Sequence, residues 1–224
     1  MSVSLDDIRR QVRQRSKMEN SQFISGGDDN ADNELDNLID AEYAELYDLL
    51  AVNNYFTDAY EFSTAVGITN YDLPVNFYKS LGVEMFYQGN TLDLFQFNWR
   101  ERNRYKNATQ YFQLGPPSAY RLVDGSLMLL PTPSGVYPIT LWFIPQRTKL
   151  VLSSDTIKNT IIESWIEYVL CGVTAMLLAE EESDNTYWLS KKQEVKARIV
   201  VNSESREWAN PEKIAQVRQD FWWY

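Results

Sequence analysis

The hydrophobic period of this chain changes twice along its length, which divides it into helical and strand regions. Over residues 34–52, Leu35, Leu38, Ile39, Tyr43, Leu46, Leu49 and Leu50 recur at helical spacing. From about residue 58 the period shortens toward two. Short aromatic and β-branched runs, "AYEFSTAV", "YDLPVNFY", "KSLGVEMFY" and "TLDLFQF", are separated by turn residues. After Asp155 the helical period returns in Ile161, Ile162, Trp165, Val169, Val173, Met176 and Leu177, which predict one long buried helix. A second, more polar helix over 187–201 rests on Trp188, Val195 and Ile199. Such an order predicts an α+β fold: a discontinuous helical bundle, with an inserted, mostly antiparallel β-domain and an extended C-terminal tail. The expected division is 1–54 with 152–205 for the bundle, 55–151 for the β-rich domain and 206–224 for a C-terminal arm.

Local signals refine this plan. Ser4 and Asp7 form a capping-box start for a first helix over 4–17, with Leu5, Ile8 and Val12 on one stripe. In "YRLVDGSLMLL", Asp124-Gly125 supplies a two-residue type I′ turn between two strands. Pro138 in "VYPITLWFIP" points to an edge strand. The charged "NWRERNRYKN" suits a turn or short helix. Asn210-Pro211 reads as an N-cap followed by proline at the first helical position, and the helix it opens places Ile214, Val217 and Phe221 on one side.

What is missing restricts the chemistry. The 224 residues contain no histidine, so histidine-based triads, zinc sites and general bases fall away. Cys171, the single cysteine, lies in the apolar "IEYVLCGVTAMLL" and reads as a small buried hydrophobe. There is no phosphate loop and no dinucleotide fingerprint. No apolar run approaches the roughly 20 residues of a membrane span, and residues 1–20 lack a signal-peptide core. The expectation is a protein made and used without crossing a membrane, with no cofactor and no metal.

Charge is distributed unevenly around the net −10. Between Lys17 and Lys79 there is no Lys or Arg, while thirteen Asp and Glu residues occur from Glu19 to Asp72. Such a block is a solvated acidic face or, repeated around a ring, a surface that repels phosphate. "DDNADN" at 28–33 partly imitates a calcium loop but has Asn33 and Ile39 where that loop needs Gly and Glu, so a helix-capping loop is the reading. "AEEESD" at 179–184 offers carboxylates that splay by about 100° each on a helix and read as a solvated helix end. Glu42 falls inside the apolar stripe of the second helix and must be paired, protonated or snorkelled to water. Arg15, close to the stripe of the first helix, is its candidate partner, unless each finds a partner across a subunit boundary. In "FNWRERNRYKNATQYF", arginines alternate with Trp99 and Tyr105, a composition suited to a protein contact more than to stacking single-stranded bases.

The order "RSKMENSQFIS", "ELDNLIDAEYAELYDLL", "YDLPVNFYKSLGVEM", "FNWRERNRY", "YRLVDGSLMLLPTPSGVYPITLWFIP" and "WIEYVL…LAEEESD" resembles bacteriophage head-to-tail adaptor proteins, also called connector or head-completion proteins. The similarity spans about residues 5–205. It implies a structural virion protein, not an enzyme, assembled in the host cytoplasm as a homo-oligomeric, dodecameric ring beneath the portal protein. The ring extends the DNA channel, helps retain packaged DNA without binding it specifically, and carries a tail or nozzle protein. Carried onto this chain, the portal-binding segment is Trp208, Ile214, Val217, Phe221, Trp222, Trp223 and Tyr224, with a neighbouring subunit as the rival seat for these aromatics. The tail-facing surface is drawn from the β-region near Asn90, Arg102 and Ser134. Two other functions stand beside this one: a virion-associated, carboxylate-dependent cell-wall glycosidase, which needs two acids facing across a cleft, and a carbohydrate-binding module on the aromatic β-region.

Overall fold

The computed structural model describes residues 3–17, 29–102, 114–150, 155, 157 and 160–206; at 29–33, 101 and 204–206 it describes the backbone. The fold is α+β, in two compact units: Met1–Tyr55 with Arg147–Tyr224, and Phe56–Gln146.

The first unit is helical. Helices α1 (Leu5–Ser16) and α2 (Asp29–Val52) come from one side of the β insertion. Helices α3 (Thr160–Ser164), α4 (Glu167–Glu180) and α5 (Thr186–Arg206) come from the other. The start of α1 is set by the expected capping box: Ser4 Oγ accepts from Asp7 N at 3.1 Å, and the Asp7 carboxylate accepts from Ser4 N at 3.4 Å. Such a cap contributes about 1 kcal/mol. Backbone bonds from Leu5 N to Asp155 O and from Ile157 N to Val3 O, both 3.0 Å, tie the two halves of the unit together. The core helix is α4, buried from Tyr168 through Ala175 and again at Leu177. A helix apolar all round must be enclosed, and α1, α2 and α5 all pack against it. The single long helix expected from residue 161 is instead divided. At Trp165–Ile166 the chain tightens, with Trp165 N bonded to Ile162 O and Tyr168 N to Trp165 O, three residues apart.

The second unit is a β-sandwich. One sheet has the order β1-β10-β3-β4, built from β1 (Asp58–Ser63), β10 (Pro138–Pro145), β3 (Phe77–Tyr87) and β4 (Asn90–Asp93). The other has the order β2-β8-β7-β5, from β2 (Asn70–Asp72), β8 (Ser126–Leu130), β7 (Ala119–Val123) and β5 (Phe95–Gln96). A small ladder joins β6 (Leu114–Gly115) to β9 (Thr132–Pro133). Only the β5–β7 and β6–β9 pairings among the described strands are parallel. Period-two alternation sends Val83, Met85, Leu127, Leu129, Ile139, Leu141 and Phe143 into one shared core.

Two tight turns set the register. Asp124 (φ 49°) and Gly125 (φ 75°) close the expected β7–β8 hairpin between Val123 and Ser126. Gln88 (φ 51°) and Gly89 (φ 83°) close a second, between Tyr87 and Asn90. Both residues of a type I′ turn need positive φ, which glycine adopts without strain. The edge position read from Pro138 is corrected: β10 lies between β1 and β3. Pro138 is the first residue of the strand, where its missing N–H costs the ladder little.

Candidate functional site

Glu42, on the buried face of α2, is 1 % exposed. Its carboxylate lies against α4 at Gly172, where an added Cβ would overlap the carboxylate oxygens. Glycine is therefore what lets a charged group enter this core. Lys192 of α5 supplies the counter-charge. Its Nζ donates to Glu42 Oε1 at 3.0 Å and lies 2.8 Å from Oε2, which is in ion-pair range but lacks hydrogen-bond alignment. The same Nζ donates to Glu45 Oε2 at 2.8 Å and sits 4.7 Å from the centre of the Tyr168 ring. Tyr168 OH donates to Glu45 Oε1 at 2.5 Å.

Burial raises the Glu42 pKa above its ordinary value, against the opposing pull of Lys192. Burial also raises Glu45, but the Lys192 and Tyr168 hydrogen bonds outweigh it, and its pKa falls. Burial disfavours the Lys192 charge, yet its two carboxylates outweigh that cost and raise its pKa.

Arg15 does not meet Glu42, so the expected pairing of these two is corrected. α1 packs mainly against α4, and Arg15 Nη1 and Nη2 donate to Glu167 Oε1 and Oε2, both at 2.8 Å. The Arg15 guanidinium also lies 5.6 Å from the Trp188 ring of α5. Burial raises the Glu167 carboxyl, but the Arg15 bonds dominate and lower it. Cys171 is buried one turn along α4; burial first, then the Glu167 charge, push its thiol up to about 11.

Two more bidentate pairs complete the wiring. Arg9 grips Asp36 at 2.7 and 2.5 Å, linking α1 to α2. Arg147 grips Asp40 at 2.6 and 2.9 Å, with its guanidinium 5.5 Å from the Tyr43 ring. The acidic block is thus not uncompensated: Asp36, Asp40, Glu42 and Glu45 all find cations from distant parts of the chain.

In the β unit the tail-facing candidates separate. Asn90 closes the β3–β4 hairpin and Ser134 lies in the β9–β10 connection. Ser134 Oγ is 2.9 Å from Tyr137 OH, and the Tyr137 ring meets the Tyr87 ring edge-on at 5.8 Å, so these two loops share one end of the sandwich. β4 runs away from Asn90, and β5 continues parallel to β7 toward the Asp124-Gly125 hairpin. Arg102 follows a 3-10 turn at Trp99–Glu101 capped by Asn98, at that opposite end. Its guanidinium stacks 5.0 Å from the Trp99 ring, and Arg121 approaches the same ring at 5.8 Å.

Other candidates resolve more simply. Glu180, Glu181 and Glu182 are exposed at the end of α4. The calcium-like segment 28–33 and the apolar residues Trp208, Ile214, Val217, Phe221, Trp222, Trp223 and Tyr224 lie outside the described side chains. A groove of about 490 Å³ opens where β4 ends, lined by Thr57, Leu81, Gly82, Glu84, Asp93 and Trp142 among others. No run of residues signals it, because it is assembled from strand register.

A family model described as SU10 adaptor protein matches residues 3–215, across both units, and the chain belongs to that family of phage head-to-tail adaptors. Its role is structural, in the head-to-tail connection of the virion. No curated protein matches the chain. Among the described residues no helix is long and apolar enough to cross a membrane.

Proposed function

We propose that the chain forms a ring, dodecameric as in the resemblance, that docks beneath the portal protein and carries the tail or nozzle protein. The ring extends the DNA channel, and DNA passes through it without specific binding and is retained there until ejection. The observation that carries this reading is the family match, which runs from residue 3 to residue 215 and so covers the helical unit, the sandwich and the start of the aromatic segment. Residues 206–224 serve as the portal-docking arm through Trp208, Ile214, Val217, Phe221, Trp222, Trp223 and Tyr224. Each aromatic buried there removes about 150–250 Å² from water, and a ring multiplies any surplus per copy. The Asn90 and Ser134 end of the sandwich faces the tail. Arg102, at the other end, serves a different surface.

The test is the mass of the purified protein alone and after mixing with portal, for the full chain and for a chain lacking 208–224. The expected result is a portal complex for the full chain and weakened or lost docking for the truncated one. Unchanged docking after truncation contradicts the arm's assignment; no complex with the full chain contradicts the adaptor ring.

A further inference from the structure

The outer faces of the two sheets carry opposite, unspent charge. On the first sheet the register sets Glu61 opposite Thr140, Thr140 opposite Glu84, and Glu84 opposite Asp93. Their neighbours along the strands, Phe62, Ile139, Leu141, Val83 and Met85, face the core, so the row points outward. Three acids thus stand in one line across four strands. Like charges directly opposite on adjacent strands are destabilising, and among the described residues no cation meets any of the three. In the next outward row Trp142 stands opposite Gly82. Trp142 Nε1 is buried without a hydrogen-bond partner among the described residues, and Gly82 has open space where a side chain would be. These residues line the groove with Glu84 and Asp93, and Val83, Leu94 and Tyr120 of the shared core line it as well.

The second sheet presents the complement. Tyr120 and Leu122 of β7 pack into the shared core, which turns Arg121 to the outer face. There Arg121 and Arg102 rest on Trp99, their described hydrogen bonds going to the carbonyls of Phe97 and Trp99 at 3.2 and 3.1 Å. Neither meets a carboxylate among the described residues. The acid row and the arginine pair lie on opposite sides of the same sandwich.

We propose that the outer face of β1-β10-β3-β4 in one copy is the seat for the Arg102–Trp99–Arg121 cluster of the next copy. The inference rests on the ring reading and names its lateral contact. A guanidinium entering the groove meets Glu84 and Asp93 and relieves their repulsion. The exposed Trp99 edge packs beside the Trp142 indole. An acid face on one side and a basic face on the other give a heterologous, head-to-tail contact, the kind that closes into rings; a two-fold contact would put acid on acid. Complementary potentials of this kind fix register and exclude wrong pairings.

The experiment uses two full-length variants, Glu84→Lys/Asp93→Lys and Arg102→Glu/Arg121→Glu, with assembly read by native mass spectrometry with and without portal. Each variant alone is expected to lose the ring, its half-assembly concentration rising at least about 100-fold, because like charge then faces like charge. An equimolar mixture restores it as an alternating ring, since each variant now carries one charge sign at both contact sites, the groove and the Trp99 cluster. That restoration also shows both variants to be folded. Wild-type assembly weakens between about 0.1 M and about 1 M salt. If wild type forms rings and both variants do so unchanged, or if the mixture of folded variants stays unassembled, the contact lies elsewhere and the inference is wrong while the ring reading stands. If wild type forms no ring in either condition, both fail together.

Discussion

In the helical unit Arg9, Arg15, Arg147 and Lys192 each reach a carboxylate on another element, and two of these cations also lie over an aromatic ring of α2 or α4. In the sandwich, Arg102 and Arg121 rest on Trp99, while Glu61, Glu84 and Asp93 share a row with no cation among the described residues. The first arrangement uses charge to fix how helices of distant sequence meet. The second leaves charge available to something outside the chain. Fold stability should therefore respond to charge changes in the helical unit, and assembly to those in the sandwich.

The largest stability effect is expected from Lys192→Met, which leaves Glu42 buried without its cation. A loss of about 3–5 kcal/mol follows, measured by urea denaturation with hydrogen exchange to localise it to the helical unit. Gly172→Ala comes next, at about 1–3 kcal/mol, because the new methyl displaces the Glu42 carboxylate. Adding Glu42→Ala should cancel much of the Gly172→Ala penalty, and strictly additive losses would refute that contact. Arg15→Met should cost about 1 kcal/mol, since the Arg15–Glu167 pair is partly exposed. Glu84→Gln should change stability by no more than about 0.5 kcal/mol, with relief of the Asp93 repulsion favouring the variant. A large loss there would erase the distinction between the two units.

Acid provides a further probe. Asp40, Glu45 and Glu167 titrate below their ordinary values when folded. The stability they contribute is present above the unfolded carboxylate range, about 4, and is lost as pH falls through their folded values. Glu42, raised by burial, has the opposite sign: its contribution is present at low pH and is lost as pH rises through its folded value. Glu42→Gln removes this offset, so the variant should lose more stability than wild type between pH 7 and about 3.

Much of the fold is written in local signals. The double change of period marks the helical and β regions; Ser4 and Asp7 mark a helix start; Asp124-Gly125 marks a hairpin. Pro138 misleads because its missing N–H matters only inside a ladder, and it stands at a strand's first residue. The burial of Glu42 is legible from its place in an apolar stripe, but Lys192 is not. Lys192 lies 150 residues away, and the space that admits the carboxylate is created by one glycine on a third helix. The acidic block misleads for the same reason: its cations enter from residues 9, 147 and 192. The acid row is harder still to read, since Glu61, Glu84 and Asp93 come together only through the register of four strands.

Electron cryo-microscopy of the full chain bound to portal decides whether it forms the adaptor ring. The expected map shows a closed coaxial ring beneath portal, with segment 208–224 seated on it and the Asn90–Ser134 end of each sandwich turned away. Isolated copies scattered on the portal surface, or a ring with the Asn90–Ser134 end against portal, would contradict it.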